Sequence, residues 1–438
     1  MRWRVDRGNN ARIGMPEALK ILTRDAWLLF ATRFTRLFAY GSLSVVLVFY
    51  LIGLGLNESQ TGLLLTLTLI GDTVISLYLT TRADRIGRRR MLIIGAFLMA
   101  AAGLVFAVTK NFFLLLVAGT IGVISPSGNE VGPFLSIEQA ALSHVVSDRT
   151  RTEVFAWYTL TGSIATAAGA LFGGTLTQLL QKTSGTPVGS YRGVVFLYAA
   201  LGLLLAFLFT RVSSAAELTL ASERSQLPRS LGSFFGVHRS RHIVAKLSGL
   251  FALDSFAGGF VLQSFAAYWF YLRFGVKPAA LGVIFFWANI FAGISALLAS
   301  RLAARFGLVR TMVATHLPSN ILLILVPLMP NLPLAVAVLL LRFSISQMDV
   351  PTRQSYTMAV VSPEERSAAA GITGVARTTG AAISPLFVGF LFARPALISV
   401  PFFIAGTLKI AYDLLLYRAF IAIPPPEEGS LPIRAGQA

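Results

Sequence analysis

The sequence predicts an all-α membrane protein, with twelve transmembrane helices arranged as two pseudo-symmetric six-helix bundles. Three observations carry that expectation. The 438 residues are 55% hydrophobic and only 13% charged, with a mean hydropathy of +0.72. Water-soluble chains carry about 25% charged residues, so this one lacks the polar surface to face water all round, which excludes a soluble enzyme. Apolar stretches of membrane-crossing length recur twelve times along the chain, and the basic residues divide unevenly between the segments that join them.

About 20 apolar residues rising 1.5 Å each cross the hydrocarbon layer. Stretches of that kind occupy 27–51, 61–79, 91–109, 112–145, 154–180, 194–210, 243–272, 279–300, 312–329, 333–361, 367–391 and 395–418. Most are plainly apolar. The fifth and eleventh are rich in Gly, Ala, Ser and Thr, residues that let neighbouring helix backbones approach closely. The first 25 residues contain no clean apolar core followed by a small-residue cleavage site, so no cleaved signal peptide is expected.

The net charge of +18 would point to nucleic acid in a soluble chain. Here topology accounts for it. With a cytoplasmic N-terminus, cytoplasmic segments hold 25 of the 37 basic residues, including Arg82, Arg85, Arg88, Arg89 and Arg90 between the second and third spans. The outer loops hold six, and the other six lie inside spans. That asymmetry predicts both termini in the cytoplasm of a multi-pass plasma-membrane protein, or inner-membrane protein if bacterial. It also removes nucleic acid as a partner. The chain has no cysteine, and its four histidines, His144, His238, His242 and His316, are scattered. Neither a metal site nor a cofactor is expected.

The longest polar break divides the chain into a cytoplasmic segment 1–23, a bundle 24–211, a linker 212–242, a second bundle 243–418 and a cytoplasmic tail 419–438. The halves repeat. Val145-Val146-Ser147 returns as Val360-Val361-Ser362, and Leu171-Phe172-x-Gly174 returns as Leu386-Phe387-x-Gly389. Arg85-Ile86-Gly87 returns as Arg305-Phe306-Gly307. Each match falls in the equivalent loop or span, so the repeat is parallel, related by an axis along the membrane normal.

Between the second and third spans the chain reads Asp84-Arg85-Ile86-Gly87-Arg88-Arg89. This loop and the six-plus-six arrangement resemble the major facilitator superfamily over residues 24–420. The match to that family's Gly-x-x-x-Asp-Arg-x-Gly-Arg-Arg signature departs at Thr80, which replaces the leading Gly, and the second copy has Ala304 at the Asp position. Glycine allows the tight turn, Asp84 can meet a helix N-terminus, and the arginines anchor to headgroups. The resemblance implies that Asp84, Arg85, Gly87 and Arg88 form a gating loop that latches the halves in one state. The fifth span carries Gly169-Ala170-Leu171-Phe172-Gly173-Gly174, similar to the antiporter signature Gly-Pro-x-x-Gly-Gly with Ala170 for Pro, which leans toward efflux. The outer half of the fourth span lacks the Arg common in proton-coupled drug exporters, which speaks against that subclass.

An ionisable side chain at mid-bilayer costs several kcal/mol and by default faces a cavity or a partner. Ten stand out: Arg33, Arg36, Asp72, Glu130, Glu138, Asp254, Arg342, Asp349, Arg353 and Arg377. Eight fall on the first, fourth, seventh and tenth spans, the ones that line the central cavity in the family resembled. Arg33, Arg36, Tyr40 and Ser44 share one helical face, and Arg342, Ser346, Asp349, Arg353 and Tyr356 fall within an arc of about 80° on a continuous tenth helix. In the fourth span, Ser125-Pro126-Ser127-Gly128-Asn129-Glu130-Val131-Gly132-Pro133 should interrupt the backbone hydrogen bonding at a depth where irregular chain survives only against protein or a wet cavity. Lys409 and Asp413 read as a snorkelling pair near a span end.

Arg33, Arg36, Tyr40, Asn129, Glu130, Asp254, Asp349 and Arg353 are therefore the expected cavity residues. Asp72, Glu130 and Asp254 are the candidate proton carriers, since burial and nearby arginines shift a carboxylate in opposite directions. The expected activity is secondary transport of a small solute by a monomer in the lipid bilayer, as proton-coupled efflux. Proton-coupled uptake or exchange of an organic anion is the alternative. The absence of a Gly-x-x-x-x-Gly-Lys-Ser/Thr motif argues against ATP hydrolysis, and no Ser/His constellation points to a membrane enzyme. Five acidic and five basic residues among the ten leave the charge of the solute open.

Overall fold

A computed structural model describes residues 22–130, 132–146, 151–183, 186–213, 237–362 and 365–423. Most of the two terminal segments and the middle of the linker lie outside that set. So do the side chains of Asp84 and Arg85 and therefore half of the expected gating motif. The described residues form fifteen α-helices and no strand. Eleven segments are long and apolar enough to cross a membrane, and the twelfth expected crossing is a helix broken in two. Large apolar side chains such as Val108, Phe113 and Leu179 stand more than half exposed around the outside, as a lipid-facing surface requires.

The first half runs α1 (Arg24–Gly53), α2 (Glu58–Ile86), α3 (Arg88–Val108), α4 (Phe112–Ile121), α5 (Phe134–Val145), α6 (Arg151–Thr183) and α7 (Pro187–Thr210). Local chemistry sets the boundaries. Asn57 and Gln60 close a reciprocal capping box ahead of α2, and Asn111 caps α4. Gly87, at φ 117°, lets α2 turn directly into α3. The second half runs α8 (Arg241–Gly259), α9 (Gln263–Phe274), α10 (Pro278–Phe306), α11 (Leu308–Leu325), α12 (Leu332–Ser346), α13 (Asp349–Val360), α14 (Arg366–Phe392) and α15 (Val400–Phe420). Its Gly307, at φ 85°, turns α10 into α11, so the repeated Arg-x-Gly marks the same backbone event in both halves.

Two expectations about helix continuity need correction. The seventh span is not one helix but α8 and α9, separated at Phe260–Leu262, and the tenth is α12 and α13, separated at Gln347–Met348. The second break interrupts the single polar stripe expected from Arg342 to Tyr356. Period-3.6 patterning reports neither break, because the apolar run Phe260-Val261-Leu262 continues through the first and the helical spacing of Arg342, Ser346, Asp349 and Arg353 continues through the second. The break in the fourth span falls at residues 122–133, the Pro/Gly-rich passage, with Gly128 and Gly132 both at positive φ.

The halves meet along α6 against α10 and α2 against α14. Both contacts are backbone against backbone. A Cβ added at Gly174 would lie 2.4 Å from the Pro278 carbonyl, and one at Gly389 would lie 2.4 Å from the Glu58 carbonyl and 2.9 Å from the Gly62 Cα. The glycines of the antiporter-like sequence are thereby explained by packing: Gly169 and Gly173 seat on the Phe38 and Ser42 carbonyls of α1, and Gly174 on the opposite half. All these inter-half contacts lie toward one face, called here distal, where the α1–α2 and α9–α10 turns are found. At the other face, where α1 begins and α15 ends, Gly371 and Gly374 of α14 have open space where a Cβ would be.

Gly389→Val should therefore force α2 and α14 apart and lower the thermal midpoint, a loss of about 1–3 kcal/mol for overpacking. Gly371→Ala should leave it unchanged or raise it; equal losses in the two variants would show that the seam is not tight where described.

At the terminal face, Glu365 ties α14 to the start of α8. Its carboxylate accepts the backbone N–H groups of His238, Arg239 and Ser240 at 2.6, 2.8 and 2.9 Å. These bonds hold its pKa down at about 2, against an ordinary 4.5. The stabilisation is thus present above about pH 4.5 and is lost as the pH falls toward 2. Glu365→Gln should be less stable than wild type at pH 7, and the gap in thermal midpoint should close across that window. A pH-independent gap would contradict the assignment.

Candidate functional site

Arg33 and Arg36 lie one helical turn apart on α1, in the half of the helix nearer the terminal face. Thr32, beside Arg33, completes the polar group there. Across from them, the broken fourth crossing supplies two carboxylates: Glu130 from the irregular passage and Glu138 from α5. Arg33 Nη1 donates to Glu130 Oε1 at 2.6 Å. Arg36 bridges both carboxylates, donating from Nε and Nη2 to Glu130 at 3.1 and 3.0 Å and from Nη1 and Nη2 to Glu138 at 2.8 Å each. Thr32 donates to Glu138 Oε1 at 2.8 Å, and the Tyr158 hydroxyl of α6 donates to the other oxygen. The Arg33 guanidinium also stacks over the Tyr158 ring at 4.4 Å, and Arg36 over Phe134 at 4.8 Å. Two cations thus meet two anions, with Glu138 and Arg36 entirely buried and the Arg33 Nε alone of the two guanidinium groups buried without a hydrogen bond among the described residues.

The second half has a larger network. Asp254 of α8 receives Arg353 Nη1 of α13 at 2.9 Å and Lys409 Nζ of α15 at 2.5 Å. Arg353 also reaches Asp349, four residues earlier, at 3.3 Å. His316 of α11 stands between two carboxylates, with Nδ1 2.7 Å from Asp413 and Nε2 3.8 Å from Asp254. Asn320, one turn along α11, donates to Asp413 at 2.8 Å. The expected snorkelling pair Lys409–Asp413 is therefore corrected. The two side chains diverge into different contacts inside the bundle, because each finds a stronger partner on a neighbouring helix than on its own.

The remaining expected residues fall as follows. Tyr40 is buried and stacks with Tyr198, while Asn129 is exposed on the irregular passage, its carbonyl accepting from Ser125 Oγ at 2.7 Å. Asp72 is buried on α2 apart from both networks, with one carboxylate oxygen making no hydrogen bond among the described residues. Gly87 makes the α2–α3 turn, and Arg88 is buried beside it. His316, Asn320, Lys409, Asp413, Thr32 and Tyr158 join the networks without having been singled out as site residues. Their signal, where there was one, was spacing: His316 with Asn320 and Lys409 with Asp413 are polar i,i+4 pairs on otherwise apolar helices. Tyr158 gave none.

Between the networks and the distal face the halves are joined by polar and aromatic contacts. Gln263 of α9 donates to Ser44 Oγ of α1 at 2.8 Å and accepts from Asn289 of α10 at 3.0 Å. The Ser264 N–H reaches the Pro126 carbonyl at 3.2 Å, and Phe49 packs edge-on against Tyr268 and Tyr271 with ring centroids 5.5 and 5.3 Å away. Both ionic networks lie on the terminal-face side of this seal.

The sequence profile of the Major Facilitator Superfamily matches residues 29–272 and 250–438. An uncharacterized membrane protein of Saccharomyces cerevisiae, YJR124C, is 33% identical over 429 residues, covering 92% of this chain and 96% of that one. Two partial matches are the Na(+), Li(+), K(+)/H(+) antiporter of Planococcus maritimus, 30% identical over 37% of each chain, and the quinolone resistance protein NorA of Staphylococcus aureus, 31% identical over 24% of this chain and 27% of that one. Among solved structures, an inward-facing bacterial homolog of the human lysosomal transporter Spinster aligns with a TM-score of 0.66 at 16% identity, over 93% of this chain and 96% of that one. The nucleoside transporter NupG aligns with a TM-score of 0.66 at 14% identity, over 91% and 99%.

Removing one partner of a buried ion pair leaves the other charge uncompensated, at a cost of about 3–5 kcal/mol. Glu138→Ala should therefore destabilise the purified protein strongly, and the double variant Arg36→Met with Glu138→Met should recover much of the loss in a thermal melt. Additive losses would mean that the two side chains do not act as a pair.

Proposed function

Given that the chain belongs to the major facilitator superfamily, we propose that it is a secondary transporter that exports a small solute in exchange for protons, by alternating access between its two six-helix halves. The observation that carries this reading is the position of Asp254. Its carboxylate is shared by Arg353 and Lys409 from two other helices and lies beside His316, which in turn contacts Asp413. A proton that reaches Asp254 competes with these fixed cations for the same carboxylate, and His316, between Asp413 and Asp254, offers the relay. Protonating Asp254 releases both cations at once and loosens α8 from α13 and α15, which links proton occupancy to helix packing. Glu130, shared by Arg33 and Arg36, offers a parallel arrangement in the first half. Asp72 touches neither network and is the weakest of the three proton-carrier candidates.

The excess of Lys and Arg on the terminal side supports a cytoplasmic terminal face. In that orientation the distal seal closes the outside, and the networks are approached from the cytoplasm, where an exporter collects its solute. The antiporter and the quinolone resistance protein among the partial relatives favour exchange and export. We place the protein as a monomer in the plasma membrane, with residues 24–211 and 243–418 as the two moving bodies. Asp84, Arg85, Gly87 and Arg88 act as the cytoplasmic latch, and Arg33, Arg36, Tyr40, Asn129, Glu130, Asp254, Asp349 and Arg353 line the path.

The test uses proteoliposomes containing a pH-sensitive dye, with candidate solutes added outside. Wild type should move protons only when its solute is present. Asp254→Asn should lose solute-dependent proton movement by a factor of about ten or more, while a radiolabelled solute still exchanges for itself. Solute movement that carries no protons, or an Asp254→Asn protein with unchanged proton flux, would overturn the coupling.

A further inference from the structure

The two halves differ in how completely their buried charges are neutralised. In the first half, Arg33 and Arg36 are matched by Glu130 and Glu138. In the second half, four permanent cations, Arg342, Arg353, Arg377 and Lys409, stand against three carboxylates, Asp254, Asp349 and Asp413. Those carboxylates are already engaged: Asp254 by Arg353 and Lys409, Asp349 by Arg353, and Asp413 by His316 and Asn320. Arg342 on α12 and Arg377 on α14 form no ion pair or hydrogen bond among the described residues, and the Nε of each is buried without a partner. Arg377 lies one turn before Gly380, where a Cβ would lie 2.4 Å from the Ala252 carbonyl of α8, two residues from Asp254; Arg342 lies two turns before Asp349 on the other piece of the same crossing. Arg342 has only the Phe343 ring, 5.0 Å from its Cζ.

Both residues are half-buried, and a guanidinium at that depth in a membrane bundle without a counter-charge is costly. Arginine offers a planar fork of donors suited to a carboxylate or phosphate. We propose that Arg342 and Arg377 form the docking site for an anionic solute, whose carboxylate or phosphate supplies the counter-charge that the second half lacks. The inference rests on the transporter reading and names the class of its cargo. It also gives the second half, and not the first, a surplus of positive charge for the solute to offset. Arg353 is excluded from the docking pair because Asp254 and Asp349 already hold it.

The experiment is a thermal-shift titration of the full-length protein in detergent with benzoate, succinate, glycerol 3-phosphate and, as a cationic control, tetraphenylphosphonium. A ligand that binds only the folded state raises the midpoint in proportion to its occupancy. At least one anion should stabilise wild type at millimolar concentration, and its apparent affinity should fall by about tenfold or more in Arg342→Gln and in Arg377→Gln, the loss of a charged hydrogen bond. Arg342→Lys should retain part of the affinity. Preference for glycerol 3-phosphate over the two carboxylates, or the reverse, decides which oxyanion the site takes. Without added solute, both Gln variants should melt at or above the wild-type temperature, which shows that they fold and that the charge is uncompensated. The proposal is overturned if no anion shifts wild type, if anions shift the Gln variants equally, or if only tetraphenylphosphonium binds. Anion binding through the two arginines without proton-linked transport would sink the coupling and leave this site standing. Proton-linked transport surviving in the double Gln variant would do the opposite.

Discussion

A buried guanidinium needs a counter-charge on another helix, and most of the interior follows from that requirement. Arg36 is wholly enclosed, and no carboxylate on α1 lies within reach of it. Its partners must come from the fourth crossing, which can deliver Glu130 only by giving up helical geometry between residues 122 and 133. The break is therefore tied to the pair. Gly128 and Gly132 supply the positive φ that lets the chain turn back toward α1, and the freed backbone groups are taken up by neighbours such as the Ser264 N–H, which finds the Pro126 carbonyl. In the second half, Asp254 plays the corresponding part from α8, gathering Arg353 and Lys409 across two helix boundaries.

The seam between the halves obeys a different physics. Lipid chains are as apolar as leucine, so transmembrane helices gain little from hiding apolar surface and rely on close packing. Gly62 against Gly389 and Gly174 against Pro278 bring backbones together where any side chain would intrude. Such contacts are broad, apolar and free of ion pairs, so they can be separated without stranding a charge. The strong charged bonds lie within each half and the weak, reversible contacts lie between them. On the proposed reading, that division lets the two halves move against each other.

Much of this was readable from the sequence, and the rest was hidden for identifiable reasons. The family, the crossings and the six-plus-six repeat follow from hydropathy, loop charge and the Asp84–Arg89 motif, because membrane insertion writes them into composition. The irregular passage at 122–133 announced itself through Pro126, Gly128, Gly132 and Pro133. The breaks at 260–262 and 347–348 carry no proline or glycine beyond Phe260's glycine neighbours and were invisible to periodicity. The i,i+4 spacing of Lys409 and Asp413 pointed to each other, whereas their actual partners, Asp254 and His316, lie 155 and 97 residues away along the chain. Sequence separation of that size encodes no contact in a single chain; only the fold brings such residues together.

Pseudo-symmetry gives the two halves one backbone plan, down to Gly87 and Gly307 in the same strained turn, yet it does not give them one charge plan. The first half pairs Arg33 and Arg36 with Glu130 and Glu138, and the Tyr158 and Thr32 hydroxyls donate to Glu138. The second adds His316, set between Asp413 and Asp254, and leaves Arg342 and Arg377 without an ion pair among the described residues. On the proposed reading the second half answers to both solute and proton, because each acts on Asp254 and the cations around it. Coupling of that kind would need no direct contact between cargo and proton; their shared dependence on one set of groups would carry it.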